Sequence, residues 1–230
     1  MGTLSIAKNL DSIRNKIDSF QKGPSKNKIK LIAVSKRQSI DKMLEAVKAG
    51  QLDFGENYVQ EARQKRSLLP KEARIHMIGP LQKNKIKYCP QTFCSIHSVH
   101  QLDVAKALQK KYEASEGSID ILIQMNLHRE STKSGLYDYD ALIKFVEEIE
   151  PFKRLNLRGL MTIPDFNLGR LQTGLVYGKM RDYLNKLKKT YANRYDISEL
   201  SMGMSADYEI AITEGATMIR VGTAIFGERD

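Results

Sequence analysis

Four groups of residues carry types and spacings that could do chemistry. The stretch KLIAVSKRQS, residues 30–39, runs Leu31 to Val34 toward Lys36 before a helical pattern begins. A lysine ending a buried strand is either a solubilising charge or an amine aimed at a ligand. In SMGMSADYEIAI, residues 201–212, Ser205 is placed to cap a helix from Ala206 onward, with Gly203 allowing close backbone approach and Asp207 in the first turn. In RVGTAIFG, residues 220–227, Gly222 and Thr223 offer a second set of amides and a hydroxyl. Unpaired amides of this kind suit an anion such as phosphate; the plain alternative is a helix cap and a strand-end turn. Arg220 lies inside the apolar run MIRVG, where an unpaired charge is costly, and two-residue periodicity puts it on the face of Gly222. Facing inward, it needs an acceptor, either a ligand nitrogen or a carboxylate.

These residues are useful only if something holds them together, and the rest of the chain describes that frame. Eight apolar runs rich in branched residues recur: IKLIAVSK, LDFGE, RIHMIG, FCSIHSV, DILIQMNL, LNLRGLMTI, ISELSMGM and TMIRVGTAI. Between them lie helical patterns. Ile40, Met43, Leu44 and Val47 are closed by Gly50. Leu142, Phe145, Val146 and Ile149 precede Pro151, and a third pattern joins Val176, Met180, Tyr183, Leu184, Leu187 and Tyr191. Strands alternating with helices predict a parallel sheet. Eight units after a leading helix at Ile6, Leu10, Ile13, Ile17 and Phe20 predict a single (β/α)8 TIM barrel with an extra N-terminal helix, one domain over residues 1–230. The rival, an open doubly wound sheet, lacks a GxGxxG fingerprint after its first strand.

A barrel of this kind places its site at the C-terminal ends of its strands. Strand one then gives Lys36, and strand two gives Glu56, Asn57 and Tyr58. Strand three gives His76, Gly79, Gln82 and Asn84, strand five Asn126, and strand six Met161 and Thr162. The two loops singled out above follow strands seven and eight, where such barrels often hold a phosphate.

Composition narrows the classes. The 230 residues are 41% hydrophobic and 28% charged, ordinary for a globular chain. No apolar run of about 18 residues suggests a membrane span, and the charged N-terminus does not read as a signal peptide. Cys89 and Cys94 are too few for a disulfide framework, so the expected compartment is the reducing cytoplasm. As a strand, CPQTFCSIHSVH would set Cys94 and His97 on opposite faces, which argues against a metal site. The formal charge of +10 admits nucleic acid, but the lysines are scattered and lack interleaved aromatics.

A strand-end amine, an anion cradle and an inward arginine outline a phosphate-bearing carbonyl compound. Desolvation in a barrel mouth favours the neutral amine that carbonyl chemistry needs. Pyridoxal 5'-phosphate (PLP) fits, with Arg220 at the pyridine nitrogen; because guanidinium only donates, that nitrogen would stay unprotonated. A Schiff-base aldolase acting on a sugar phosphate fits the lysine and cradle equally well.

The blocks LIAVSK, FGENYVQEA, HMIGPLQKNK, STKSGL, LRGLMTIP, LSMGMSADYEIAI and MIRVGTAIFGERD resemble, in order and over nearly the whole chain, the pyridoxal-phosphate homeostasis protein family, the YggS/PROSC group. That family is similar to the barrel domain of alanine racemase standing alone, a fold-type III PLP-binding barrel. The resemblance implies a non-catalytic PLP carrier or buffer affecting amino-acid and keto-acid metabolism, monomeric, with apo PLP-dependent enzymes as partners. Lys36 would hold PLP covalently as a Schiff base. Ser205, Gly222 and Thr223 would bind its phosphate, Met204 and Gly203 would shape the loop, Arg220 would face the pyridine nitrogen, and Asn57 would lie beside the ring. His76, Met161 and Ser201 are weaker candidates for the pocket wall. Ile75 and the block SIHSVH depart from the family pattern, which bears on the outer wall of the pocket. The alternative is a PLP-dependent, racemase-like enzyme. That activity would need a second domain and a tyrosine from a partner subunit, which a chain ending at Asp230 is not expected to supply.

Overall fold

The structure, a computed structural model, describes residues 5–20, 28–128, 134–165 and 167–228. Eight strands close into a barrel: β1 (Lys30–Val34), β2 (Asp53–Glu56), β3 (Arg74–Met77), β4 (Ser95–Val99), β5 (Ile119–Met125), β6 (Leu155–Thr162), β7 (Glu199–Ser201) and β8 (Met218–Val221). Each pairs in parallel with the next, and β1 closes on β8 with Lys30 to Ala33 opposite Met218 to Val221. The outer layer is formed by α1 (Ile6–Phe20), α2 (Ile40–Lys48), α3 (Val59–Arg66), α4 (Cys89–Thr92), α5 (Leu102–Ala114), α6 (Tyr139–Ile149), α7 (Arg170–Thr190), α8 (Tyr208–Thr213) and α9 (Thr223–Phe226). Among the described residues no helix is long and apolar enough to cross a membrane.

Two-residue periodicity divides every strand between two environments. Outward side chains such as Leu31, Ala33, Phe54, Ile75, Met77, Ile121 and Ile219 join the helix stripes in one continuous apolar core. Leu142, Phe145, Val146 and Ile149 bury the face of α6 that their spacing predicts, and Asp138 caps that helix by accepting from the Ala141 N–H at 2.9 Å. The inward face is more polar than the branched apolar filling usual in such barrels. His97 on β4 reaches Ser201 on β7 at 3.0 Å, a contact that is possible only across the barrel axis.

The eighth unit is short. Gly222 ends β8 and α9 has only four residues, so the apolar run continuing to Ile225 is not all strand. Helix α1 fills the space this leaves, packing on α2, α8 and α9. Asn9 Nδ2 donates to the Ile225 carbonyl at 2.9 Å and Arg14 Nη1 to the Ala49 carbonyl at 2.9 Å, tying the two ends of the ring together. Ile6, Leu10, Ile13 and Ile17 are buried as their spacing predicts, whereas Phe20, at the last position of the helix, is 38% exposed. Tyr191 lies just past the end of α7. Replacing the fully buried Leu10 by alanine removes apolar contact and leaves a cavity. Leu10→Ala is expected to cost about 3 kcal/mol and to lower the thermal midpoint by roughly 6–12 °C, as read by calorimetry.

Candidate functional site

Lys36 follows β1 by two residues and is half-buried. Its neighbours on both sides are anchored by a buried ion cluster. Lys65 of α3 donates to the Ser35 carbonyl at 2.7 Å, to Glu56 Oε1 at 2.8 Å and to Glu61 Oε1 at 2.6 Å. Ser35 Oγ donates to Glu56 Oε1 at 2.7 Å, and the Arg37 N–H to Glu61 Oε1 at 2.6 Å. Arg37 takes a left-handed φ of 59°, a conformation a non-glycine residue holds only when its surroundings impose it. Burial pushes the Glu56 carboxyl up, against the pull of Lys65. Removing one partner of a buried pair of this kind is strongly destabilising, because the remaining charge stays buried. The backbone that presents Lys36 is therefore fixed from below and from the side.

Neighbouring strands bring the other candidates to the same mouth. On one side, Asn57 follows β2, and its backbone packs so closely on Gly79 that a Cβ there would lie 2.6 Å from the Asn57 Cα. Ser98 Oγ holds Gly79 by donating to its carbonyl at 2.6 Å. On the other side, barrel closure sets Gly222 against Val34, with an added Cβ 3.4 Å from the Val34 Cβ. The N–H groups of Thr223 and Ala224 open α9, where a helix offers its first amides no intrahelical acceptor.

The loop after β7 differs from expectation. Ser205 does not cap α8, which starts at Tyr208; instead its hydroxyl accepts from the Gly222 N–H at 3.3 Å, joining the two loops. Asp207 organises the turn. Its Oδ1 accepts from the Met204 N–H at 2.6 Å, and its Oδ2 from the hydroxyl of the buried Tyr177 at 2.8 Å. Gly203 has φ +90°, and a Cβ there would come within 2.6 Å of the Ala211 Cβ, so only glycine fits. Met204 and Ser205 are half-buried and Thr223 is exposed.

Arg220 points inward as its parity predicts, but its acceptors are neutral, neither a carboxylate nor a ligand nitrogen. Nη1 donates to Ser201 Oγ at 2.6 Å and Nη2 to the Thr162 carbonyl at 2.8 Å. Burial lowers its pKa from the ordinary value, with Tyr177 and Asp207 pulling the other way. Ser201 and Met161 are fully buried beside it.

Other sequence candidates lie elsewhere. His76 does not line the mouth; with Lys30, Arg74, Ser95 and Met218 it lines a cavity of about 220 Å³ among the strand N-termini. Ile75 belongs to the outer core, and SIHSV supplies inward Ser95 and His97, so these departures from the family pattern do not touch the mouth. Gln82 and Asn84 are exposed, and residues 131–133 of STKSGL, like Arg229 and Asp230, lie outside the described residues. Sequence reasoning missed Lys65, Glu61, Tyr177 and Ser98. Only Glu61 and Lys65 left a trace, as an i,i+4 pair.

The barrel places the chain in a known family: residues 8–230 match the one described as alanine racemase, N-terminal domain, and the chain belongs to it. Within it, the chain belongs with the pyridoxal phosphate homeostasis proteins. It is 40% identical over 233 residues to the one from Escherichia coli, covering 98% of this chain and 97% of that protein. PipY of Synechococcus elongatus, solved without PLP, is 35% identical with a TM-score of 0.87, covering 97% of this chain and 100% of PipY. PipY solved with PLP bound is 34% identical with a TM-score of 0.84 and the same coverage.

At the far end of the barrel, burial would raise the Asp53 carboxyl, but hydrogen bonds from His76 and Arg74 hold it down to about 2, against 3.8 unperturbed. A carboxyl lowered on folding contributes stability above its unfolded value and loses it as pH falls through the folded one. Asp53→Asn is therefore expected to be less stable than wild type by about 2 kcal/mol above pH 5. The gap should close between about pH 4 and pH 2, as read by urea unfolding across that range.

Proposed function

We propose that this chain binds PLP at the C-terminal mouth of the barrel as a single PLP-binding domain. In this reading it serves PLP homeostasis by holding and releasing the cofactor rather than by turning over a substrate. One observation carries the reading: closure of β1 on β8 brings Gly222, which leads into the open amides of Thr223 and Ala224, against Val34, two residues before Lys36. The names of the curated relatives and the PLP-bound PipY support it.

The residues present fit the group. Gly203, Ser205, Gly222 and Thr223 form a hydrogen-bonded pair of loops whose amides and hydroxyls suit a phosphate. Arg220 keeps its charge uncompensated by any acid it hydrogen-bonds, so it can donate to a ring nitrogen without protonating it. Asn57, after β2 on the other flank of Lys36, would meet a ring substituent. When bound, PLP would supply an aldehyde open to reversible condensation with an amine, and Lys36 is the residue that would hold it. This chain's own contribution would be to orient that amine: Lys65 and Glu61 fix the residues before and after Lys36, which gives it a rigid backbone. Handing PLP to apo-enzymes, acting as a monomer and residing in the cytoplasm complete the proposal.

Incubation with PLP is expected to give a visible absorption band that Lys36→Ala abolishes. Ser205→Ala combined with Thr223→Val should weaken PLP binding about tenfold or more, since each removes a hydrogen bond to a charged group. A protein that stays colourless with PLP would overturn the reading. Steady conversion of an amino acid between its enantiomers, lost in Lys36→Ala, would replace the carrier by a racemase-like enzyme.

A further inference from the structure

The barrel interior holds a continuous run of polar side chains leading away from the mouth. Arg220 Nη1 donates to Ser201 Oγ at 2.6 Å, and Ser201 Oγ lies 3.0 Å from His97 Nδ1. His97 Nε2 lies 2.9 Å from Ser95 Oγ, which lies 2.7 Å from His76 Nδ1. His76 Nε2 meets Asp53 Oδ1 at 2.9 Å, and Arg74 caps Asp53 with Nε at 2.8 Å and Nη2 at 2.6 Å. The links pass through β8, β7, β4, β3 and β2, crossing the barrel once between β7 and β4. Ser201 and His97 are fully buried, and His76 and Ser95 nearly so.

While His76 is neutral, donor and acceptor chemistry fixes the direction of every proton. Guanidinium only donates and an ionised carboxylate only accepts. Ser201 accepts from Arg220 and keeps a second lone pair, so its own proton goes to His97 Nδ1 only while that nitrogen carries no hydrogen. Burial, helped by the charge of Arg220 and by that of His76 whenever it is protonated, keeps His97 neutral, its pKa well below the ordinary value. Its single N–H then sits on Nε2 and is given to Ser95. Ser95 passes its own proton to His76 Nδ1, and the Nε2–H of His76 goes to Asp53. Each link has one donor and one acceptor, and none is left over.

We infer that Ser201, His97, Ser95 and His76 form one proton-ordered chain that positions Arg220, and that the tautomer of His97 follows the charge of His76. The inference rests on the PLP reading only in assigning Arg220 to the pyridine nitrogen. When His76 is protonated, its Nδ1 becomes a donor to Ser95. Ser95 must then donate to His97 Nε2, which moves the proton of His97 to Nδ1, where it is donated to Ser201. The hydroxyl proton of Ser201 is then turned away from His97. The net change is one proton bound from solvent and carried as the charge of His76. Several groups bear on that charge. Asp53 on β2 pairs with it, the Cys94 thiol lies 3.6 Å from its Nδ1, and the ring of His97 lies 5.3 Å away. Arg74 on β3, Lys30 on β1, Asp120 on β5, Arg158 on β6 and Glu199 on β7 line the same end of the barrel. Burial would lower the His76 pKa, but Asp53 and Cys94 outweigh it and raise it.

Histidine-labelled protein without PLP, followed by nitrogen NMR through a pH titration, tests the chain directly. At high pH both His97 and His76 are expected to carry their proton on Nε2. As His76 titrates, His97 should change to the Nδ1–H form while staying neutral, with the same midpoint. A His97 that keeps one tautomer throughout, or starts with its proton on Nδ1, overturns the inference, and this measurement needs no variant. In Ser95→Ala the two histidines should uncouple; continued coupling overturns it. With PLP loaded, the visible band should shift at the midpoint of His76, and Ser95→Ala should remove that shift. A band that ignores the midpoint overturns the positioning role. Loss of the band altogether with the tautomer switch intact overturns the PLP reading and leaves the chain standing.

Discussion

Pairing of Lys30 to Ala33 with Met218 to Val221 closes the sheet, and the whole mouth takes its register from that pairing. Val34 and Gly222 are 188 positions apart in the sequence, yet closure makes them neighbours. A slip of one residue would turn Arg220 out of the barrel and Val221 into it, because side chains alternate faces along a strand. The closure also depends on α1, which stands in for an eighth helix too short to cover the seam. Lys36, the loops after β7 and β8 and Arg220 thus take their positions from one long-range contact.

Placing Arg220 in the interior has a cost that the surroundings must offset. A desolvated guanidinium with neutral acceptors is tolerable because hydrogen bonds meet its donors, and because the chain behind it ends on the ionised Asp53. The same logic explains why the interior departs from branched apolar filling. Once one buried charge is present, each neighbour must be able to accept and pass on a proton, and serine and histidine do both. On the outer face of the same strands no such demand exists, and Leu31, Phe54, Ile75 and Ile219 pack as ordinary core.

The alternation of branched runs with helical stripes made the barrel legible in the sequence, because burying strands on both faces leaves a continuous apolar signature. The strand ends followed from it, and with them Lys36, Asn57, Gly222 and Thr223. Arg220 stood out because a charge inside MIRVG contradicts its neighbours. Its acceptors were not legible: the Ser201 hydroxyl and the Thr162 carbonyl become partners only when β6, β7 and β8 curve together. Ser205 was misread as a cap because its residue type and position suit one. In the fold, the N–H of Gly222 reaches it first, and Asp207 takes over the turn. Lys65 looked like one more solvated lysine among many, and only tertiary packing shows it buried under Ser35.

The seam between β1 and β8 has one more consequence, for the order in which the chain is built. Lys36 emerges early and Thr223 last, so the mouth cannot exist in any nascent or truncated intermediate; it appears only when the final strand zips onto the first. Contacts this distant in sequence form late, because the entropy of closing so long a loop must be met first. A ligand gripped from both sides of the seam would act as a staple across the ends of the chain. It would bind finished molecules alone and stabilise them in proportion to its concentration. Occupancy of the mouth would then be a proofreading mark for completed folding.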